Sequence, residues 1–308
     1  MNFGTPWFII FAALAANSAL AEPWAAGGGY YQSMDSEGFG SRRLSVEALT
    51  TYQHLDGRTG VRYIDHQFSQ NGWQQSGQQL RWVARHTDRK SMDGWNAELG
   101  WLQQSTHALL TLDTNYRHTF PGGAALEVFA NRDVVETRAA LAQGLHFTFA
   151  GAAVDLPIDP HLTLIGLAGA QAFSDDNQRR HLRGRLIWQP SLDLGLTLQL
   201  RYRWFDNTRL NVGQAYFNPE QYQEGMFAVG WRQRTGNWRH AVTAGVGSQQ
   251  IAAESATPTQ LLELSSETQV ERYALRLRAG YTRAAGAAAT TNPDYWYHYL
   301  LGELVLPF

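Results

Sequence analysis

The 308-residue sequence contains no cysteine and no apolar run long enough for a membrane-spanning helix, which needs about 20 residues. The lack of cysteine excludes disulfides, thiolate catalysis and cysteine-ligated metal sites. Charged residues make up only 17% of the chain, against about 25% in soluble proteins. The mean hydropathy is nevertheless −0.35, which excludes a bundle of transmembrane helices. A β-barrel fits these values, because its residues alternate between lipid and water.

The charges are nearly balanced, with 25 basic and 27 acidic residues. Nothing in this balance favours nucleic acid as a partner. Lys90 is the only lysine, so the other basic residues are all arginine.

The first residues have the pattern of an export signal. An apolar run over residues 7–16 is followed by Ser18-Ala19-Leu20-Ala21, a small-x-small cleavage pattern. No lysine or arginine precedes Arg42, so the usual basic segment is missing. We predict a signal peptide over residues 1–21 and one domain over residues 22–308, with a buried N-terminal helix as the alternative.

Alternating strands separated by turn sequences fill the remainder. Residues 194–205 place leucines and aromatics on one face and polar residues on the other. The segments have the roughly nine to eleven residues of tilted membrane strands, and aromatics lie near their ends. We predict an all-β fold, a closed antiparallel transmembrane barrel of sixteen strands with fourteen as the alternative, in the bacterial outer membrane. The predicted turns are Asp56-Gly57, Asn71-Gly72, Asp93-Gly94, Pro121-Gly122-Gly123 and Gly236-Asn237.

The last strand ends on Phe308. A terminal aromatic residue resembles the signal read by the barrel-insertion machinery, so we predict that machinery and outer-membrane lipid as partners. Both termini are then expected in the periplasm.

No familiar catalytic motif is present: G-x-S-x-G, S-x-x-K and H-E-x-x-H are all absent. Ten histidines remain to be explained, but the sequence places no serine at a spacing that indicates a pair with one of them. We therefore predict no enzyme, cofactor or metal site. A lipid-modifying hydrolase on the outer wall is an alternative.

Polar strand faces are the better candidates for function, since they line the lumen of a membrane barrel. Their excess of arginine favours neutral or anionic solutes over cationic ones. Ion pairs that only brace the barrel are the alternative reading. On neighbouring strands, Arg183, Arg185, Arg201 and Arg203 are expected to lie within reach of one another. The pore-lining candidates are Arg81, Arg85, Glu98, Asp113, Arg117, Glu127, Arg138, Arg183, Arg185, Arg201, Arg203, Arg232, Arg272, Arg276 and Arg278.

Several stretches resemble the barrel of bacterial exopolysaccharide export porins, of the poly-N-acetylglucosamine and cellulose secretion type. They include the aromatic loop at residues 215–222, Gly236-Asn237-Trp238-Arg239 and the glycine-rich strand at residues 244–248. The poly-N-acetylglucosamine porin is the closer likeness. The resemblance implies a sixteen-stranded tunnel for a secreted polysaccharide.

Two features depart from that family. The chain has no 34-residue helical repeat, so a periplasmic scaffold, if there is one, is a separate protein. The arginine-rich lumen also differs from the acidic tunnel expected for a partly deacetylated, cationic polymer. The predicted function is polysaccharide export, with a general or solute-specific diffusion porin as the alternative.

Overall fold

The structure is a computed structural model that describes residues 24–210, 215–285 and 294–308. The predicted signal peptide lies outside the described residues. Sixteen antiparallel strands form one closed barrel, in which β1 pairs with both β2 and β16. The sixteen-stranded prediction is confirmed. The strands are β1 (Ala25–Asp35), β2 (Gly40–His54), β3 (Gly57–Gln70), β4 (Trp73–Thr87), β5 (Gly94–Gln104), β6 (Ala108–Thr119), β7 (Ala125–Val134), β8 (His146–Pro157), β9 (Leu162–Phe173), β10 (Gln178–Trp188), β11 (Leu196–Asn207), β12 (Gln221–Thr235), β13 (Trp238–Ile251), β14 (Thr257–Val270), β15 (Tyr273–Ala285) and β16 (Asp294–Pro307).

All five predicted turn sequences lie at or beside strand connections. In the two-residue turn between β3 and β4, Asn71 and Gly72 have φ of 47° and 82°. This left-handed pair is typical of a two-residue hairpin turn. Among the described residues, no helix is both long and apolar enough to cross a bilayer. The one helix described, α1 (Arg138–Gln143), lies in the connection between β7 and β8.

The two ends of the barrel differ. We call the end that holds Ala25 and Pro307 the terminal end and the opposite end the far end. The long connections from β7 to β8 and from β11 to β12 both begin and end at the far end, whereas the connections 55–56, 236–237 and 271–272 at the terminal end are tight turns. Phe308 lies beyond β16 at the terminal end, where its N–H donates to the Trp24 carbonyl at 2.8 Å. Its role in assembly stays a prediction.

Each strand has an apolar outer face and a more polar inner face. Val46, Leu80 and Leu200 are 61%, 58% and 58% exposed on the outside. Their chain neighbours Gln79 and Gln199 are buried inside. So continuous an exposed apolar belt is unfavourable in water and matches the hydrocarbon layer of a membrane. The lumen is therefore the polar compartment of the molecule.

Candidate functional site: the barrel lumen

One side of the lumen is a network of ion pairs, which we call the braced wall. Its carboxylates are Glu47 on β2, Glu98 on β5 and Glu303 on β16. The Arg58 guanidinium on β3 contacts Glu47 at 3.0 Å and Glu303 at 2.5 Å. Arg62 also contacts Glu47, at 2.8 Å, and Glu98, at 3.3 Å. Each carboxylate therefore faces at least two guanidiniums, which offsets the cost of removing these charges from water.

The first strand leaves room for this network. Gly27 on β1 faces Glu47 across the strand pair. A Cβ at Gly27 would lie 2.4 Å from Glu47 Cγ, so any larger residue would displace that carboxylate. Gly29, the next inward residue of β1, pairs with Glu303 on its other side. The glycines thus allow side chains from β2, β3 and β16 to meet over β1.

Glu98 also binds two of the arginines predicted to line the pore. Arg81 Nη1 contacts a Glu98 oxygen at 2.9 Å, and Arg85 binds the other oxygen. These three side chains lie on the inner face of the barrel, where they belong to the braced wall; that they line a conducting pore stays a prediction. Sequence reasoning missed Arg58, Arg62 and Glu303 as candidates, although Arg62 alternates with the outward Val61 and Tyr63.

Across the barrel, β10 and β11 carry the four arginines predicted to be neighbours, which we call the arginine wall. Arg183 lies opposite Arg203 and Arg185 opposite Arg201 in the strand register, which confirms that prediction. Arg201 donates to Glu263 at 3.2 Å. The Arg203 guanidinium lies over an aromatic ring, that of Tyr222, 5.4 Å from its centroid.

Arg183 and Arg185 differ from the braced arginines. Both are exposed within the lumen. Neither forms an ion pair with any residue that the structure describes. The acids two strands away in the register are Glu224 for Arg183 and Asp155 for Arg185, and Asp155 already binds Arg117. The arginine wall therefore has fewer carboxylates than guanidiniums.

The remaining candidates fall into three groups. Arg117, Glu127 and Asp113 lie inside the barrel and have local partners: Arg117 pairs with Asp155 at 2.7 Å, Glu127 accepts from Asn115, and Asp113 accepts from Asn96. Arg232, Arg276 and Arg278 point inward near the terminal end.

Two candidates do not lie on strands. Arg138 is the first residue of α1, where its guanidinium lies over the Trp73 ring, and Arg272 lies in the turn between β14 and β15. Alternation along a strand therefore does not apply to either residue. That Arg138 and Arg272 line the pore stays a prediction.

At the far end, the two long connections meet and form a cap. Thr137 is the N-cap of α1: its hydroxyl accepts from the Ala140 N–H at 3.1 Å and donates to the carbonyl of Ala215 in the other connection. Glu136 forms an ion pair with Arg43 on β2. These contacts fix both connections to each other and to the barrel. We refer to residues 135–145 and 215–220 as the far-end cap.

The cap is also held by apolar contacts on two sides. Leu141 of α1 lies in a buried cluster with Phe68 and Leu102 of the barrel. Tyr216, in the aromatic loop that carries the resemblance, stacks on Phe173 with 4.5 Å between ring centroids. Burial raises the pKa of Tyr216 to about 12, so its hydroxyl stays protonated and donates to Asp175. The cap is thus packed against the inner wall.

The outer wall holds one serine–histidine pair, which the sequence did not indicate. Ser266 Oγ lies 3.0 Å from His240 Nδ1. The two residues are opposite each other on β13 and β14, and the Trp238 ring stacks on His240. No carboxylate within the described part of the chain contacts His240. Among those residues, no group of three histidines or carboxylates is arranged to hold a metal ion.

Comparisons with known proteins establish the fold. No family model and no curated protein matches the sequence. The barrel is similar to a solved structure described as a bacterial polysaccharide outer membrane secretin, with a TM-score of 0.67 and 13% identity, over 94% of this chain and 99% of that one. Weaker likenesses are Pseudomonas aeruginosa OpdQ (TM-score 0.44, 8% identity, 93% and 99% covered) and Acinetobacter baumannii OccAB3 (0.43, 10%, 92% and 98%).

At these identities the first similarity shows the fold. The chain has the closed sixteen-stranded barrel of bacterial outer-membrane proteins, as the resemblance in the sequence predicted.

Proposed function

We propose that this protein conducts a secreted polysaccharide across the outer membrane, entering at the terminal end and leaving at the far end. The observation that carries the proposal is the similarity, over nearly the whole of both chains, to a barrel described as a polysaccharide secretin. The long connections at the far end are typical of the extracellular side, so the termini face the periplasm.

Two features of the lumen support this function. The inner face carries many polar side chains, among them guanidiniums that a hydrated polymer can contact. The far-end cap packs against side chains of the barrel wall. This packing suits a channel that opens only when a polymer passes. A general diffusion porin has the opposite requirement, since it conducts small solutes continuously.

Liposome swelling separates these two functions. The export channel is expected to leave proteoliposomes nearly impermeable to glucose and maltose, because the far-end cap packs against the inner wall and narrows that mouth of the barrel. Swelling as fast as with a general porin at equal protein density would favour the diffusion porin instead.

The hydrolase alternative has one observation in its favour, the Ser266–His240 pair. That pair has no carboxylate partner in the described residues. The backbone N–H groups around it are used in the hydrogen bonds between strands, so no two of them are free to stabilise an oxyanion. We infer that the protein is not an enzyme.

A further inference from the structure

The terminal end of the lumen contains a second group of arginines, apart from the arginine wall. A cavity of about 410 Å³ lies there. We call it the basic vestibule. The charged residues that line it are Arg232, Arg234, Arg239, Arg276, Arg278 and Glu267.

The single carboxylate of this cavity is already shared. Glu267 contacts Arg239 at 2.5 Å and Arg276 at 2.8 Å. Arg276 also reaches Asp56 and Glu303. Two of the five arginines are therefore offset by acids.

The other three arginines are not offset in this way. Arg232, Arg234 and Arg278 form no ion pair with any residue in the described ranges. Arg234 also lies opposite Arg239 in the strand register, so two like charges face each other. Two further acids flank Arg278 diagonally in the register, and both already bind other arginines. Glu263, two positions from Ser265, accepts from Arg201. Glu303, two positions from Leu301, contacts Arg58 and Arg276.

The register sets Arg232 and Arg278 on either side of a shallow niche. Arg232 pairs with Ala241, Ala241 with Ser265, and Ser265 with Arg278. The two arginines are thus three strand spacings apart, about 14 Å along the wall. The side chains between them are small, so both guanidiniums and the Ser265 hydroxyl are open to one anionic group.

The braced wall shows how this chain neutralises arginines that only support the barrel: each is placed against glutamates at 2.5–3.3 Å. Arg232, Arg234 and Arg278 of the vestibule lack such partners among the described residues, although they share one cavity. Like charges in one cavity are repulsive unless an anion joins them. Because the side chains point into the lumen, lipid phosphates on the outer wall do not reach them.

We propose that the basic vestibule binds the acidic groups of a polyanionic polysaccharide, such as the carboxylates of uronic acid units, as the chain enters the barrel. This inference rests on the proposed export function and names its substrate class. Guanidiniums suit the task because they bind carboxylates through two parallel hydrogen bonds. Farther along the lumen, Arg185 and Arg201 offer the next contacts for the same chain.

Calorimetric titration of the full chain in detergent tests this binding. The probes are hexagalacturonate, which is acidic, maltohexaose, which is neutral, and fully deacetylated chitohexaose, which is cationic. Hexagalacturonate is expected to bind with an affinity that falls as salt rises, and the other two are expected not to bind. The variant Arg232→Gln/Arg278→Gln should weaken binding about tenfold or more, since it removes two charged hydrogen-bond donors.

The control is Arg42→Gln/Arg180→Gln, which removes the same charge from the outward-facing ends of β2 and β10. It should bind hexagalacturonate like the wild type. Heat-modifiable migration checks that each variant folds. Equal binding of maltohexaose or chitohexaose, or wild-type affinity in the folded Arg232/Arg278 variant, would overturn the proposal. A deletion strain that keeps its surface polysaccharide would refute export itself, independently of the calorimetry.

Discussion

Arg58 and Glu303 are 245 positions apart in the chain, yet their side chains meet at 2.5 Å inside the barrel. Arg58 lies on β3 and Glu303 on β16, so their ion pair spans the seam at which β1 joins the last strand. The Arg58 side chain is fully buried. Closure of the barrel thus places the buried Arg58 guanidinium against the Glu303 carboxylate, and each offsets the charge of the other.

Replacing Arg58 by methionine should destabilise the barrel strongly. Glu47 would keep Arg62 as a partner, but Glu303 would lose its closest guanidinium. Breaking a buried ion pair of this kind costs about 3–5 kcal/mol. Urea unfolding followed by tryptophan fluorescence measures the loss. The free energy of unfolding of Arg42→Met, on the outward face, should stay within about 0.5 kcal/mol of the wild type. An equally small loss in Arg58→Met would show that the ion pairs of the braced wall do not stabilise the barrel.

Loosening the far-end cap should open the channel. Thr137→Val removes the hydroxyl that caps α1 and bonds Ala215, and Glu136→Gln weakens the ion pair with Arg43. The N-cap hydrogen bond of Thr137 alone contributes about 1 kcal/mol to the stability of α1. Planar-bilayer recordings should show more frequent open events in the double variant. Thr106→Val, in another far-end connection, is the control, and conductance in the double variant equal to that of the control would exclude the cap as a closure.

The arginine wall should set ion selectivity. Replacing Arg201 and Arg203 with glutamate reverses two charges beside Arg183 and Arg185. The reversal potential in a potassium chloride gradient should move toward cation preference while the barrel still forms. Arg42→Glu/Arg180→Glu supplies the matched change on the outward side. An unmoved reversal potential in a folded Arg201/Arg203 variant would mean that these side chains do not line the conducting path.

The serine–histidine pair on the outer wall should be inert. Purified protein is expected not to release fatty acid from phospholipid vesicles, because His240 has no acidic partner among the described residues and the strand amides are already bonded. Ser266→Ala should therefore behave like the wild type in this assay. Fatty-acid release that disappears in Ser266→Ala would establish the hydrolase instead.

Alternation along the chain predicted the strands and most inward positions, as at Arg201 and Arg203. It did not predict which charges meet, because Arg58 reaches Glu303 only after the barrel closes. The pairing of Ser266 with His240 was concealed for another reason, because it depends on the register between β13 and β14.

The cap was missed for a local reason. Arg138 was predicted to be among the inward residues of strands, whereas it is the first residue of α1. Thr137 before Arg138-Ala139-Ala140-Leu141, with Gly144 after it at φ 69°, is nevertheless the signature of a short capped helix. That signal was present in the sequence.

The most direct test of the export function is the location of the polysaccharide in a strain that lacks this protein. Surface and periplasmic polysaccharide are quantified by hexosamine and uronic acid analysis of washed cells and of periplasmic extracts. The account predicts loss of surface polymer and its accumulation in the periplasm, both reversed by the wild-type gene. Unchanged surface polymer together with slower uptake of small solutes would contradict export and establish a diffusion porin.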